Sequence, residues 1–319
     1  MKVYFLLLIT IFTIFIFPQI AEARVSFSIF PEKFDLVLGR GDNYQGKIKV
    51  SNLSSEKLPL SIQIKNFSAS DEKGRIAFEE NDDVSFGASQ WLKFTEGKFI
   101  LQAKSFKEVE FNIRVPENAE PRGYYLTALF QSEISLAAGQ SSAKILPMLG
   151  ALFLIKIKGD EEKYPSLDKQ FELVDLKVPP FVEAGPIPIS FRLKNNDPVH
   201  IRVRGKMIVY NLFGNIREEI NINEQTILPG KIRLFELKTS ANKFFDKFFL
   251  GPYRAELILS TQTWREKIGN DQQLVREISF WAFPWKIFSL LVVFILLIII
   301  ISLLIRRRKK ARCINGPTN

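Results

Sequence analysis

Apolar and polar residues alternate with a period of two through most of the chain between its ends. Lys47-Ile48-Lys49-Val50, Leu60-Ser61-Ile62-Gln63-Ile64 and Val109-Glu110-Phe111-Asn112-Ile113-Arg114-Val115 are three such runs. This phase puts one set of side chains on each face of a half-buried strand. No long internal stretch repeats at 3.6 residues. Turn signals separate the runs at Glu72-Lys73-Gly74, Asn195-Asn196-Asp197-Pro198, Phe213-Gly214-Asn215 and Pro229-Gly230. Short alternating strands between such turns predict an all-β fold of antiparallel sandwiches. The apolar stretch Ile145 to Ile157 is too short and too broken, by Pro147, Gly150 and Lys156, to cross a membrane. It is expected as the buried final strand of a first sandwich, bent at Pro147 or Gly150.

The two ends break this pattern. Lys2, the apolar run from Val3 to Phe17, and Ala21-Glu22-Ala23 follow the order of a secretory signal, with cleavage expected before Arg24. Ile287 to Ile305 is apolar except for Ser289 and Ser302, long enough for one membrane-spanning helix. Trp281 and Trp285 stand where an interfacial aromatic belt would lie. Arg306, Arg307, Arg308, Lys309 and Lys310 follow directly and are expected on the cytoplasmic side, against an anionic inner leaflet. The expected organisation is a signal over 1–23, a sandwich over 24–158, a linker over 159–168, a second sandwich over 169–281, a span over 285–305 and a basic tail over 306–319.

The two β regions share landmarks. A strand ends at Val50-Ser51-Asn52 in the first and at Leu193-Lys194-Asn195 in the second. A later strand begins Gly123-Tyr124-Tyr125 in the first and Gly251-Pro252-Tyr253 in the second. Both later strands are expected to be apolar on alternate positions, Tyr125, Thr127 and Leu129 against Tyr253, Ala255 and Leu257. A Tyr at the start of a late strand suggests the tyrosine corner of Greek-key sandwiches.

Charge and chemistry narrow the function. The net charge is +10, but Lys286 and the basic residues from Arg306 to Arg312 carry seven of those charges, and Lys2 offsets Glu22. What remains on the exported part is an ordinary surface balance that excludes nucleic acid as a partner. The one cysteine, Cys313, lies in the tail, so no disulfide supports the sandwiches. The one histidine, His200, occupies the polar phase of a strand and is expected at or near the surface. No catalytic triad, metal cluster or phosphate loop can be assembled, and neither enzymatic activity nor a cofactor is expected. Glu79-Glu80-Asn81-Asp82-Asp83 reads as a solvated acidic loop. Trp91 is either a core residue or part of a sugar-facing surface. Phe244, Phe245, Phe248 and Phe249 are either a core plug or an exposed patch for a partner or the nearby bilayer.

On these residues the first domain resembles the PapD-like immunoglobulin fold, and more closely the DUF916 domain of WxL-interacting proteins. The marks are Phe30-Pro31-Glu32-Lys33-Phe34, Val50-Ser51-Asn52-Leu53-Ser54, Lys73-Gly74-Arg75-Ile76, Val115-Pro116 and Ala119-Glu120-Pro121-Arg122-Gly123-Tyr124-Tyr125. The second domain resembles the companion domain of those proteins through Leu193-Lys194-Asn195-Asn196, Gly205-Lys206, Asn211-Leu212-Phe213-Gly214, Leu228-Pro229-Gly230 and Gly251-Pro252-Tyr253. The chain itself contains no Trp-x-Leu, and Arg122-Gly123-Tyr124-Tyr125 lacks the paired glycines of many members. The resemblance implies a Gram-positive-type surface protein whose first domain contacts cell wall peptidoglycan and whose second contacts a host or partner protein. The expected function is therefore non-catalytic, membrane-anchored binding outside the cytoplasm, through loops or by strand addition at free edges. A PapD-like chaperone or assembly factor is the alternative, and a wall-glycan hydrolase a further one.

Overall fold

The computed structural model describes residues 26–79, 87–134, 136–137, 144–159, 171–240, 249–262 and 273–314. The expected signal, most of the acidic loop, all of the expected linker but Gly159, and Phe244, Phe245 and Phe248 lie outside the described residues. The chain divides into two compact units, Met1–Phe67 with Phe78–Gly159, and Ser68–Ala77 with Asp160–Asn319.

The first unit is a β-sandwich. One sheet has the order β1 (Phe27–Phe30), β3 (Asn43–Asn52), β8 (Phe106–Arg114), β6 (Leu92–Phe94). The other has the order β2 (Lys33–Leu38), β12 (Met148–Ile157), β9 (Gly123–Ser132), β4 (Leu58–Ala69), β5 (Ile76–Glu79), with β7 (Lys98–Leu101) also on β4. A small hairpin of β10 (Leu136–Ala137) and β11 (Lys144–Ile145) lies between β9 and β12 in sequence. Period-two alternation decides the faces of the outer strands: Ile48 and Val50 of β3 and Val109, Phe111 and Ile113 of β8 are buried, while Lys47, Lys49, Glu108 and Glu110 face solvent. At the core centre, the Phe111 ring meets Phe34 and Phe153 at 5.1 Å, edge to face.

The central strand β9 departs from the expected alternation. Leu126, Ala128 and Phe130 face the core, yet Tyr125, Thr127 and Leu129 are buried as well. A strand flanked by β4 and β12 and covered on its outer side has no solvent face, so its apolar pattern is continuous.

The second unit repeats the plan. β13 (Phe171–Lys177), β15 (Pro188–Asn195) and β18 (Ile232–Lys238) form one sheet. β14 (Phe181–Val182), β20 (Gln273–Ala282), β19 (Gly251–Gln262), β16 (Ile201–Tyr210) and β17 (Ile216–Ile227) form the other, in that order. In each sandwich the first strand crosses from one sheet to the other, and its second part pairs in parallel with the last strand: β2 with β12, and β14 with β20. The alternation expected of β19 holds, with Tyr253, Ala255, Leu257 and Leu259 buried in the second core.

Equivalent side chains pin the equivalent strand ends. In the first sandwich, Asn52 Nδ2 donates to Glu56 O (2.7 Å) and Gln102 O (2.9 Å), and its Oδ1 accepts from Ser54 N (2.9 Å). In the second, Asn195 Nδ2 donates to Val199 O (2.8 Å) and Ile227 O (2.9 Å), and its Oδ1 accepts from Asp197 N (2.8 Å). Each late strand also carries its tyrosine corner. Tyr124 Oη accepts from Glu120 N at 3.1 Å, and Tyr253 Oη accepts from Leu250 N at 3.2 Å. His200 corrects an expectation, because it is 1% exposed and precedes β16 rather than lying in it. The turn folded around Asn195 draws Asp197, Val199 and His200 inward together.

The last element is helix α1 (Trp285–Ile314), joined to β20 by Phe283 and Pro284 alone. Trp285–Arg306 is long and apolar enough to cross a membrane, with a mean hydropathy of 3.5 and none of it covered by the rest of the chain. The helix continues past Ile305 through Ile314, where a basic tail was expected. Helical geometry persists because nothing between Arg306 and Ile314 breaks it: the stretch lacks Pro and Gly until Gly316.

Candidate functional site

The final strand of the first sandwich has two halves. β2 pairs with Leu152 to Ile157 and ends there, with Lys33 opposite Leu152. Leu152 N donates to Glu32 O at 2.9 Å, so the even-numbered residues of β12 direct their main-chain groups toward β2. Met148 and Gly150 share that parity but lie beyond the start of β2. Among the described residues, no strand pairs with them on that side. On the other side β12 is paired with β9 along its whole length, from Met148 opposite Gln131 to Lys156 opposite Gly123. Pro147 accepts from Ser132 N at 2.9 Å on the β9 side, so its missing N–H removes no donor from the open edge.

This edge is apolar. Leu146, Met148 and Leu149 are 42%, 44% and 36% exposed, whereas Ala151, Phe153 and Ile155 further along the strand are fully buried. No charged residue occurs from Ile145 to Ile155. The expectation of a uniformly buried final strand therefore holds for its second half only. Burial of the first half would need a neighbour that β2 is too short to supply.

The second sandwich has the equivalent edge on β20. There β14 pairs only with Trp281 and Ala282, and Gln273 to Phe280 have no strand on that side among the described residues. That edge carries Arg276 and Glu277, both exposed. Charged side chains are a common guard against edge-to-edge pairing, so of the two equivalent edges only the one in the first sandwich is both open and unguarded.

A second surface lies on the other sheet of the first sandwich. Gln45, Gly46, Lys47, Lys93, Phe94, Thr95, Glu110, Phe111 and Asn112 line an open groove of about 430 Å³. Lys47 Nζ lies 3.1 Å from Glu110, and this hydrogen-bonded carboxylate raises the lysine pKa. Asn112 Oδ1 is inaccessible to solvent and has no hydrogen-bond partner.

Of the residues expected to bind a partner, Trp91 and Phe249 are among the described ones, one in each unit. Trp91, on a short 3-10 turn over Ser89–Trp91, packs against the first core with its ring 4.4 Å from that of Tyr124. Phe249 is 1% exposed and stacks edge to face on Tyr253 at 5.1 Å, so it plugs the second core and is not available to a partner. Trp281 and Trp285, by contrast, are 60% and 51% exposed at the entry to α1. Arg306 is exposed at the end of the apolar segment, and Arg307, Arg308, Lys309 and Lys310 continue the helix. The open edge at Met148 to Ala151 was not legible as a site. Its only sequence signal is an uncharged run around Pro147, which reads equally well as core.

No family model matches the chain, and no curated protein matches it in sequence. Solved structures do. The chain is similar to the class 5 fimbriae chaperone CfaA, at 16% identity and a TM-score of 0.38, over 79% of this chain and 98% of that one. It is similar to a chain of the chaperone–tip adhesin complex of CFA/I fimbriae biogenesis, at 16% identity and a TM-score of 0.39, over 79% and 98%. The E. coli chaperone DraB follows the same pattern, at 12% identity and a TM-score of 0.37, over 80% and 98%. These neighbours are chaperones of PapD-like immunoglobulin fold. The finer resemblance to DUF916 and WxL-interacting proteins has no family match behind it.

Proposed function

We propose that this chain is a non-catalytic, membrane-anchored binding protein that captures an extended segment of another surface protein by strand addition, in the manner of a tethered assembly factor. The observation that carries this reading is the half-open strand β12. Met148 and Gly150 each offer one N–H and one C=O to an incoming strand. Each main-chain hydrogen bond formed there contributes on the order of 0.5–1.5 kcal/mol net. The incoming strand would also cover Leu146, Met148 and Leu149 and extend the sheet where β2 stops. The length and apolarity of α1 support anchoring, and the basic helix end supports, by the positive-inside rule, sandwiches outside the cytoplasm.

A photo-crosslinker placed at Met148 of the full chain on intact cells tests this. It is expected to give a discrete protein adduct that the same group at Val275, on the charged β20 edge, does not give. Met148→Pro removes the outward N–H at no cost to pairing within the free protein, and is expected to abolish the adduct formed from a crosslinker at Leu146. Adducts of equal yield from both edges, or no effect of the proline, would refute strand addition.

The groove around Asn112 favours a second reading for the same domain, in which a hydroxyl-rich polymer such as peptidoglycan lies across β3, β8 and β6. The exposed Gln45 amide, the Thr95 hydroxyl and the paired charges of Lys47 and Glu110 suit many weak polar contacts. Sedimentation with purified cell wall, lost in Gln45→Leu and kept in Met148→Pro, separates it from the first.

A further inference from the structure

The sheet that leads into α1 gathers its exposed apolar residues at one end. β20 ends at Ala282, opposite Gly251 at the start of β19. Arg254 of β19 lies opposite Tyr210 at the end of β16, and Tyr210 opposite Ile216 at the start of β17. β14 runs parallel to β20, with Phe181 opposite Trp281. The β16–β17 turn, the residues before β19, the end of β14 and the entry to α1 therefore all lie at the same end of this sheet. Between Phe171 and Pro284, the described large apolar side chains that stand exposed are Phe181, Leu212, Phe213, Ile216, Leu250 and Trp281 at this end, and elsewhere only Val174 and Val275. Single exposed apolar residues are ordinary, but their collection at one end of a domain marks a contact surface.

The chain itself says what covers that end. Trp285–Arg306 spans 22 residues, or about 33 Å at 1.5 Å per residue, against a hydrocarbon core of about 30 Å. The span leaves little helix over, so Trp285 lies at the edge of the hydrocarbon. Only Phe283 and Pro284 separate it from the sheet, a tether of at most roughly 10 Å from Ala282 to Trp285. Lys286 Nζ is held 2.7 Å from Glu183, just beyond β14, which ties the first turn of the helix to this end of the sandwich. The turn tip reaches the same level. Phe213 is three residues beyond Tyr210, as Gly251 is three residues beyond Arg254 on the neighbouring strand. Asn211 Oδ1 accepts from Phe213 N and Asn215 N, both at 3.0 Å. Gly214, at φ +78°, completes the tight turn. Phe213 is thus held outward, 83% exposed, by a fixed turn.

We infer that this end of the second sandwich is a membrane-docking foot. Leu212, Phe213, Leu250 and Trp281 insert into the headgroup layer of the bilayer that α1 crosses, holding the domain against the surface instead of letting it swing on its two-residue tether. The inference rests on the reading of α1 as a membrane span.

Depth-dependent quenching tests it on the full chain. Cys313 is the only cysteine, so Cys313→Ser gives a clean background for single cysteines carrying an environment-sensitive fluorophore. The positions are Phe213→Cys at the foot, Leu296→Cys in the middle of the span and Lys231→Cys at the opposite end of the sandwich. The twelve-residue β17 places that control roughly 35 Å from the foot along the strand direction. The protein is reconstituted into vesicles of phosphatidylcholine and phosphatidylglycerol, with lipids brominated at shallow or deep acyl positions. The label at 213 is expected to be quenched several-fold more than that at 231, and most by shallow bromines, while the label at 296 responds to deep bromines. Leu212→Cys serves as a second probe of the same turn and should behave as 213 does. Equal, weak quenching at 212, 213 and 231 with deep quenching at 296 overturns the foot and leaves the span intact. Absence of quenching at 296 overturns the span and the foot with it.

Discussion

Asn195→Ala and Asn52→Ala should differ sharply in cost, although the two residues occupy equivalent strand ends. Asn195 is fully buried and its three side-chain hydrogen bonds, to Val199 O, Ile227 O and from Asp197 N, are themselves buried. Truncation orphans two carbonyls and one N–H with no access to water. At about 1–3 kcal/mol for each buried unsatisfied group, discounted for relaxation, the loss is roughly 3–6 kcal/mol. The partners of Asn52 at Glu56, Gln102 and Ser54 are only partly buried, so water replaces much of what is lost, and about 1–2 kcal/mol is expected. Against a typical domain stability of about 5–15 kcal/mol, the first substitution leaves the second sandwich marginal and the second is tolerated. Asn195→Asp should cost more than the alanine, since it keeps the acceptor for Asp197 N but turns a carboxylate oxygen toward two carbonyls. Urea unfolding of the full chain in detergent, followed by amide exchange and mass spectrometry, reads the sandwiches separately. A loss from Asn52→Ala equal to that from Asn195→Ala, or a cost for the latter below the roughly 1 kcal/mol of a single unsatisfied group, would show that these asparagines do not hold the turns as described.

Two further outcomes follow from the second sandwich and its counterpart. Tyr124→Phe and Tyr253→Phe each remove one hydroxyl that accepts from a main-chain N–H. Each should lower the stability of its own sandwich by about 1 kcal/mol, read by the same exchange assay, with no effect on the other. Asp175 receives Arg192 Nε at 3.1 Å and Nη2 at 2.7 Å, with Lys177 Nζ at 2.9 Å. The Arg192 hydrogen bond, followed by that of Lys177, lowers its pKa from 3.8 to about 2. A depressed carboxylate pKa adds stability above the unfolded value that is lost as pH falls. The stability of the second sandwich should therefore decline as pH falls from about 4 to about 2, and Asp175→Asn should flatten that part of the profile in acid-unfolding measurements.

Much of the architecture was legible along the chain, because strand alternation, turn glycines and an uninterrupted apolar run are local consequences of backbone geometry and of the length a bilayer demands. Two all-β regions, the shared landmarks Asn52 and Asn195, the tyrosines at the starts of the late strands and the C-terminal apolar helix all came from such patterns. Burial on both faces of β9 did not, since face burial depends on what packs over the sheet and not on the strand itself. His200 looked polar in phase, yet the turn around Asn195 draws it inside. The phenylalanines near residue 249 read first as a core plug and second as an exposed patch, and Phe249, the described one of the four, fills the second core. Among the described residues, the exposed apolar side chains include Leu212 and Phe213, at the tip of a turn that sequence marks only as a turn.

What the sequence determined by itself is therefore the list of strands, the doubled plan and a helix fit to cross a membrane. Only the tertiary structure decided which strand edges stay open and which apolar side chains stay out. The reason is physical. Openness of β12 depends on where β2 stops in the parallel register, and the apolar end of the second sandwich depends on cross-strand register bringing residues 181, 213, 250 and 281 to one level. Neither register is written in any single strand.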